Sequence, residues 1–247
     1  MKVLRNSWRL ARLFYVLGSA GVIYIVAYKL TGRARTVAGQ AEWMQKTARR
    51  ILRLLRIKTN VHGTPPVHGL LVSNHLSYLD IIVYGAHQPL IFVSKADVKS
   101  WPILGTLVSF AGTLFINREK RSDVGPITAA MAEVIRQGVL VVIFPEGTSS
   151  GGENVLPFRS SLLAPAAEGG FHATPTAIQY KIKDGSAADE VCYWRDMTFG
   201  PHLFNLVGKD SIEAVVRYGS AITGVDDRKE LTRRLHAEVS QLLAKTQ

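Results

Sequence analysis

From residue 69 onward the chain alternates short, nearly continuous apolar runs with segments of helical periodicity, and few architectures satisfy that pattern. The runs fall at 69–73, 90–94, 113–117, 139–144, 174–180 and 213–218, and helices are predicted over 78–86, 124–137, 160–168 and 227–245. A strand that is apolar on both faces must be covered on both faces. The expected fold is therefore α/β: a mixed, largely buried sheet flanked by helices. At 247 residues the chain holds one sizeable core and an N-terminal extension. The single cysteine, Cys192, rules out an internal disulfide and reads as a buried, inert thiol.

The net charge of +11 is not spread over this pattern. Residues 1–58 hold 13 basic side chains against one acid, Glu42, which leaves the remainder near neutral and argues against a nucleic-acid surface. The basic arm reads as a membrane device. Residues 13–28 form an uncharged run of 16 that includes Tyr15, Tyr24 and Tyr28, shorter than the roughly 20 residues of a usual spanning helix. Residues 41–58 place Met44, Ala48, Ile51, Leu52 and Leu55 at helical spacing, with Lys46, Arg49, Arg50, Arg53 and Arg56 opposite and Trp43 suited to an interface. Two helices that dip into or lie on one leaflet are expected, each exposed cation adding about 1 kcal/mol of attraction to anionic lipid. A short spanning helix, or a signal peptide ending near "TVA" at 36–38, are the alternatives. "VHGTPPVHG" at 61–69 has linker composition, so the arm is assigned to residues 1–60 and the α/β domain to 61–247.

Three stretches carry groups capable of chemistry. "SNHLSYLD" (73–80) sets His75 five residues ahead of Asp80. On one helix those two side chains would point about 140° apart. They meet if His75 lies in the turn leaving a strand and the helix starts near Ser77, with Ser77 as N-cap and Asp80 at the third helical position. An ordinary helix start explains the same residues. "LVVIFPEGTSSGG" (140–152) runs a buried strand into a Pro- and Gly-rich loop that carries Glu146 and whose amides suit an anion or polar ligand. "GTLFINREKR" (112–121) ends a strand in Arg118, Lys120 and Arg121, either a phosphate site or a solvated strand end.

The second stretch also contains G-x-S-x-G at Gly147–Gly151, the nucleophile elbow of serine hydrolases, with Ser149 as nucleophile and His172, His202 or His236 as base. An elbow must enter a helix, and "GGENVLP" does not. His62, His68 and His75 are irregularly spaced and have no cysteine nearby, so no metal site is expected.

Taken in order, the motifs resemble the glycerolipid acyltransferase family, of the 1-acyl-glycerol-3-phosphate acyltransferase type within the lysophospholipid acyltransferase superfamily. Its N-H-x-x-x-x-D is matched by Asn74-His75 to Asp80, its G-x-x-F-I-x-R by Gly112 to Arg118, and its F-P-E-G-T by Phe144 to Thr148. "LPF" plus a basic residue is matched by Leu156 to Arg159, and a hydrophobic-proline block loosely around Pro175.

The resemblance implies transfer of a fatty acyl group from a thioester, acyl-CoA or acyl-carrier protein, to the free hydroxyl of a lysolipid, with no bound cofactor and no acyl-enzyme. His75 is then the general base and Asp80 its orienting partner. Asn74, Arg118, Glu146, Gly147, Thr148 and Arg159 are the implied substrate-binding residues, Arg118 for a phosphate and Glu146 for the polar head. The implied partners are the lysolipid, the thioester donor, an anionic membrane surface and, as one form of donor, acyl-carrier protein. The implied location is the cytoplasmic face of a bacterial inner membrane. By family frequency the acceptor is 1-acyl-glycerol-3-phosphate, giving phosphatidic acid. Members acting on it usually carry arginine after F-P-E-G-T, whereas this chain has Ser149, which makes another lysolipid such as lyso-ornithine lipid credible.

Overall fold

The computed structural model describes residues 2–117 and 121–245. Seven strands form one sheet: β1 (Ile57–His62), β2 (Leu70–Ser73), β3 (Leu90–Lys95), β4 (Leu114–Ile116), β5 (Leu140–Ile143), β6 (Ala173–Ile182) and β7 (Ile212–Tyr218). Their order is β1-β7-β6-β2-β5-β3-β4. β6, β2, β5, β3 and β4 run parallel, and β7 reverses against β6 and carries β1 parallel to itself. The mixed sheet is the one expected.

All four residues of β2 and of β5 are buried, which is why those runs are apolar without alternation. Period-2 geometry still sorts them, Leu71 facing one core layer and Leu70 and Val72 the other. The first layer contains α1 (Lys2–Ile23), α2 (Val37–Leu54), α3 (Leu79–His87), α4 (Leu104–Phe110) and, after the short α7 (Ala187–Glu190), α8 (Phe199–Leu206). The second contains α5 (Val124–Arg136), α6 (Ala164–Gly169) and α9 (Arg228–Ala244). With β2 and β5 side by side and parallel, the turns after their carboxyl ends meet at one rim of the sheet, where open α/β sheets hold their ligands.

The arm differs from its expectation. The apolar stripe of α2 lies against protein: Trp43, Met44, Ala48, Ile51 and Leu55 are buried, and Met44 and Ala48 pack on Gly85 of α3 so closely that a Cβ there would sit 3.0 Å from Met44. Trp43 is not at a lipid interface, because its Nε1 donates to the Ala20 carbonyl at 3.0 Å. Arg49 donates to the Ala86 carbonyl at the end of α3, 2.8 Å away. α2 ends with Arg56 at φ 56°, and the chain enters β1, an edge strand paired in register with β7 from Ile57 to His62. The residue-60 division thus falls inside a strand of the sheet.

α1 buries Leu13, Leu17 and Ala20, continues through one π-helical turn that buries Tyr24 and Tyr28, and leaves Phe14, Tyr15, Val22, Ile23, Ile25, Val26 and Leu30 exposed. Its first turns are pinned to the protein, Arg5 donating to the Gly208 carbonyl and Arg9 to those of Val207 and Lys209. Residues Lys2–Lys29 form one helix long and apolar enough to cross a membrane.

Candidate active site

β2 ends at Ser73, and the pairing that began with Ser73 opposite Thr176 is extended by a side chain. The Asn74 amide donates to the Ile178 carbonyl at 3.0 Å and accepts the Ile178 N–H at 2.8 Å, standing in for one more rung of the ladder. Both ends of its buried amide are thus engaged by β6. The backbone then turns out of the sheet, and His75 lies in that turn, before α3.

α3 starts one residue later than expected, with Tyr78 at the N-cap. The Ser77 hydroxyl is buried without a hydrogen-bond partner, so only half of the predicted capping box forms. The other half is the important one. Asp80 Oδ2 accepts from the backbone N–H groups of Leu76 (2.7 Å) and Ser77 (3.1 Å) and from His75 Nδ1 at 2.7 Å. Oδ1 accepts from the Tyr180 hydroxyl at 2.7 Å. The carboxylate is fully buried. An ionised carboxylate only accepts, so Nδ1 carries the ring proton and Nε2 keeps the lone pair. The His75 ring stacks on Phe144, centroids 4.2 Å apart, with about a quarter of the side chain exposed at the rim.

The loop after β5 closes the other side. Glu146 is buried and bridges two segments, Oε2 accepting the His75 N–H at 2.9 Å and Oε1 the Leu156 N–H at 3.0 Å. Burial pushes its carboxyl up to about 7; the two amides and the nearby Asp80 charge are smaller influences. Gly147 follows at φ 80°, a conformation that favours glycine. Thr148 is exposed. Arg159 is exposed too, its N–H bonded to the Pro145 carbonyl at 2.9 Å, and it helps line a cavity of about 50 Å³ with Phe144, Pro145 and Ile116. Arg118 lies outside the described residues. A second hollow of about 220 Å³ lies behind the turn, among Leu76, Gly152, Glu153 and Tyr180.

The elbow expected as a rival is not built. Ser149 Oγ donates to the Tyr193 carbonyl, and irregular chain rather than a helix follows it. His202 is engaged at both nitrogens, by the Tyr78 hydroxyl at 2.9 Å and the Cys192 carbonyl at 3.0 Å. His172 packs edge-on to His68, and His236 to Phe158.

Comparison with known proteins identifies the family. The acyltransferase family model matches residues 57–179. The 1-acyl-sn-glycerol-3-phosphate acyltransferase of Neisseria meningitidis is 38% identical over 159 residues, covering 60% of this chain and 62% of that protein, just under two thirds of its length. The lyso-ornithine lipid O-acyltransferase of Rhodobacter capsulatus is 34% identical over 194 residues, 75% of this chain and 70% of that protein. The chain belongs to the acyltransferase family. The crystal structure of the acyltransferase PlsC from Thermotoga maritima superposes with a TM-score of 0.68 over 100% of this chain and 98% of that one; at 18% identity this shows the shared fold.

As a member of that family the chain is an O-acyltransferase, and its helix over Lys2–Lys29 is long and apolar enough to cross a membrane. The matched residues include both the turn after β2 and the loop after β5. Tyr180 escaped the sequence reading. It sits in no motif, and only its place on β6, two residues past Ile178 on the same face, brings it over the end of β2. Phe144 was visible as the first residue of F-P-E-G-T, but not as the surface on which the imidazole rests.

Proposed function

We propose that His75 is the general base that moves a fatty acyl group from an acyl thioester to the free hydroxyl of a lysolipid. The observation that carries this is the 2.7 Å contact between Nδ1 and buried Asp80, which fixes the tautomer with Nε2 basic. The acceptor oxygen attacks the thioester carbonyl while its proton passes to Nε2. The tetrahedral intermediate then expels the thiolate, which recovers that proton from the imidazolium. Asp80 stabilises the imidazolium throughout. Glu146 supports the reading by holding the backbone of His75, and the Gly147–Thr148 turn and Arg159 form the open side on which the acceptor head is received.

Two acceptors compete. The 1-acyl-glycerol-3-phosphate reading rests on the Neisseria relative and on Arg118 and Arg159 as phosphate ligands. The lyso-ornithine lipid reading rests on the Rhodobacter relative and on Ser149, whose neutral hydroxyl is tied to Tyr193 where a phosphate site calls for a cation. That contact favours the second acceptor.

The arm's membrane role belongs to α1 in this reading. Its exposed apolar face seats in the cytoplasmic leaflet of a bacterial inner membrane, with the exposed Lys2, Arg12, Lys29 and Arg35 toward anionic lipid. Replacing Val22 and Val26 by Asp lowers flotation with anionic liposomes while Tm is unchanged; undiminished flotation refutes the assignment.

The decisive experiment gives purified full-length protein labelled acyl-CoA or acyl-carrier protein with a panel of lysolipids, read by mass spectrometry. Acylated lysolipid is expected from the wild type, and a loss of about 10²–10⁴ in rate from His75→Ala. Full activity in His75→Ala, with none in Ser149→Ala, would mean the hydrolase chemistry instead.

A further inference from the structure

The hydrogen bonds around Asp80 are unevenly shared. Three donors, His75 Nδ1 and the N–H groups of Leu76 and Ser77, converge on Oδ2. Among the described residues the donor recorded on Oδ1 is the Tyr180 hydroxyl, at 2.7 Å and reaching across 100 residues of sequence. The bond also has one possible direction, because a carboxylate accepting three other protons has none to give. Burial holds the Tyr180 phenol well above its ordinary range, and the Asp80 charge adds to this, so the donor keeps its proton at any working pH.

Geometry explains how Tyr180 arrives there. Asn74 locks the end of β2 to Ile178 at both backbone atoms. Two residues further along β6, on the same face, Tyr180 is carried past the end of β2 to the first turn of α3. Its ring is buried in the core layer with Ile178, Tyr84, Leu76 and Cys192, so the hydroxyl is aimed by packing. Without that donor, no other hydrogen bond among the described residues restrains Oδ1, and the carboxylate can rotate about its last bond and carry Oδ2 away from Nδ1.

Resting on the general-base reading of His75, we infer that Tyr180 is a positioning residue for the reaction: it fixes the Asp80 carboxylate in the rotation that presents Oδ2 to the imidazole. It touches no substrate. Its effect therefore falls on turnover and not on substrate binding, and it acts only through Asp80.

The test is Tyr180→Phe, which keeps the ring and removes one hydroxyl. With full-length protein in detergent, acyl-CoA and the best lysolipid of the panel, kcat is expected to fall about 10- to 100-fold with KM within twofold. In an Asp80→Asn background the same change is expected to cost less than threefold, because the coupling partner is already gone. A second readout is independent of activity: in ¹⁵N-histidine-labelled protein the His75 Nδ1 proton gives a sharp downfield signal in the wild type and a broadened or lost one in Tyr180→Phe. A kcat within twofold of wild type, a loss residing in KM, full additivity with Asp80→Asn, or an unchanged His75 signal would each overturn the proposal. So would loss of the cooperative thermal melt, since the hydroxyl would then be holding the fold. If the wild type acylates none of the lysolipids, the transferase reading fails first, and the histidine signal alone still decides what Tyr180 does.

Discussion

The turn after β2 and the loop after β5 stand side by side at the rim of the sheet and are built on opposite plans. In the turn, the polar side chains Ser73, Asn74 and Asp80 are buried and bonded inward: Ser73 to Tyr84 at 2.7 Å, Asn74 to both backbone atoms of Ile178, Asp80 to four donors. Only the His75 ring edge reaches outward. In the loop, Glu146 and Ser149 are tied down, while Thr148 and Arg159 are exposed. In the proposed mechanism the contrast separates two tasks. Proton transfer needs one geometry held to fractions of an ångström, so its residues are over-determined. Recognition of a head group is adjusted by single side chains on a loop, and such a loop changes without disturbing the fold.

That contrast can be broken at three places. The largest effect is expected from Asn74→Ala, which leaves the buried N–H and C=O of Ile178 unpaired. A stability loss of about 3 kcal/mol should appear in denaturant titration, accompanied by loss of turnover because β6 no longer carries Tyr180 to Asp80. If activity and stability both survive, the turn is not over-determined in the way described. Next, Ser149→Arg places a cation on the loop. Turnover on 1-acyl-glycerol-3-phosphate relative to lyso-ornithine lipid should rise about tenfold, the worth of one charge-assisted hydrogen bond, with Tm unchanged. An unaltered ratio would show that the loop does not choose the acceptor.

The smallest effect is expected at Glu146, which belongs to the loop but braces the turn. Its carboxyl is raised from an ordinary 4.5 to about 7 by burial, so between those values the folded protein holds a proton that the unfolded chain has released. Stability from this group therefore falls as pH rises through that window and is flat above it. Glu146→Gln cannot titrate and should lack the slope, so the wild-type Tm falls relative to that of the variant between pH 4.5 and 7. Parallel Tm–pH curves for the two proteins would contradict the buried assignment.

α1 and α2 show why some features were legible in the sequence and others were not. Both are basic and both carry an apolar stripe. α2 covers that stripe with α1, α3 and the sheet, whereas α1 has apolar residues on both sides and buries only one. A stripe at helical spacing reports that something apolar will cover it, and does not say whether that is protein or lipid. Arg5, Arg9 and Arg49 teach the same point for charge, since they donate to carbonyls at helix ends and chain turns of this protein. β1 was missed for a related reason: as a half-exposed edge strand of six residues following a helix, it has too little apolar pattern to stand out.

The sequence by itself determined the sheet, because strands apolar on both faces permit only a covered α/β core, and it permitted the His75–Asp80 pair, because a strand-to-helix turn can bring residues five apart together; the contact itself came from the structure. Both are local or compositional constraints. The tertiary structure alone decided what Asn74, Glu146 and Tyr180 do and which helix keeps an open apolar face. Those outcomes depend on which distant segments the sheet order brings within hydrogen-bonding reach, and separations of 71, 100 and 104 residues leave no trace in local pattern.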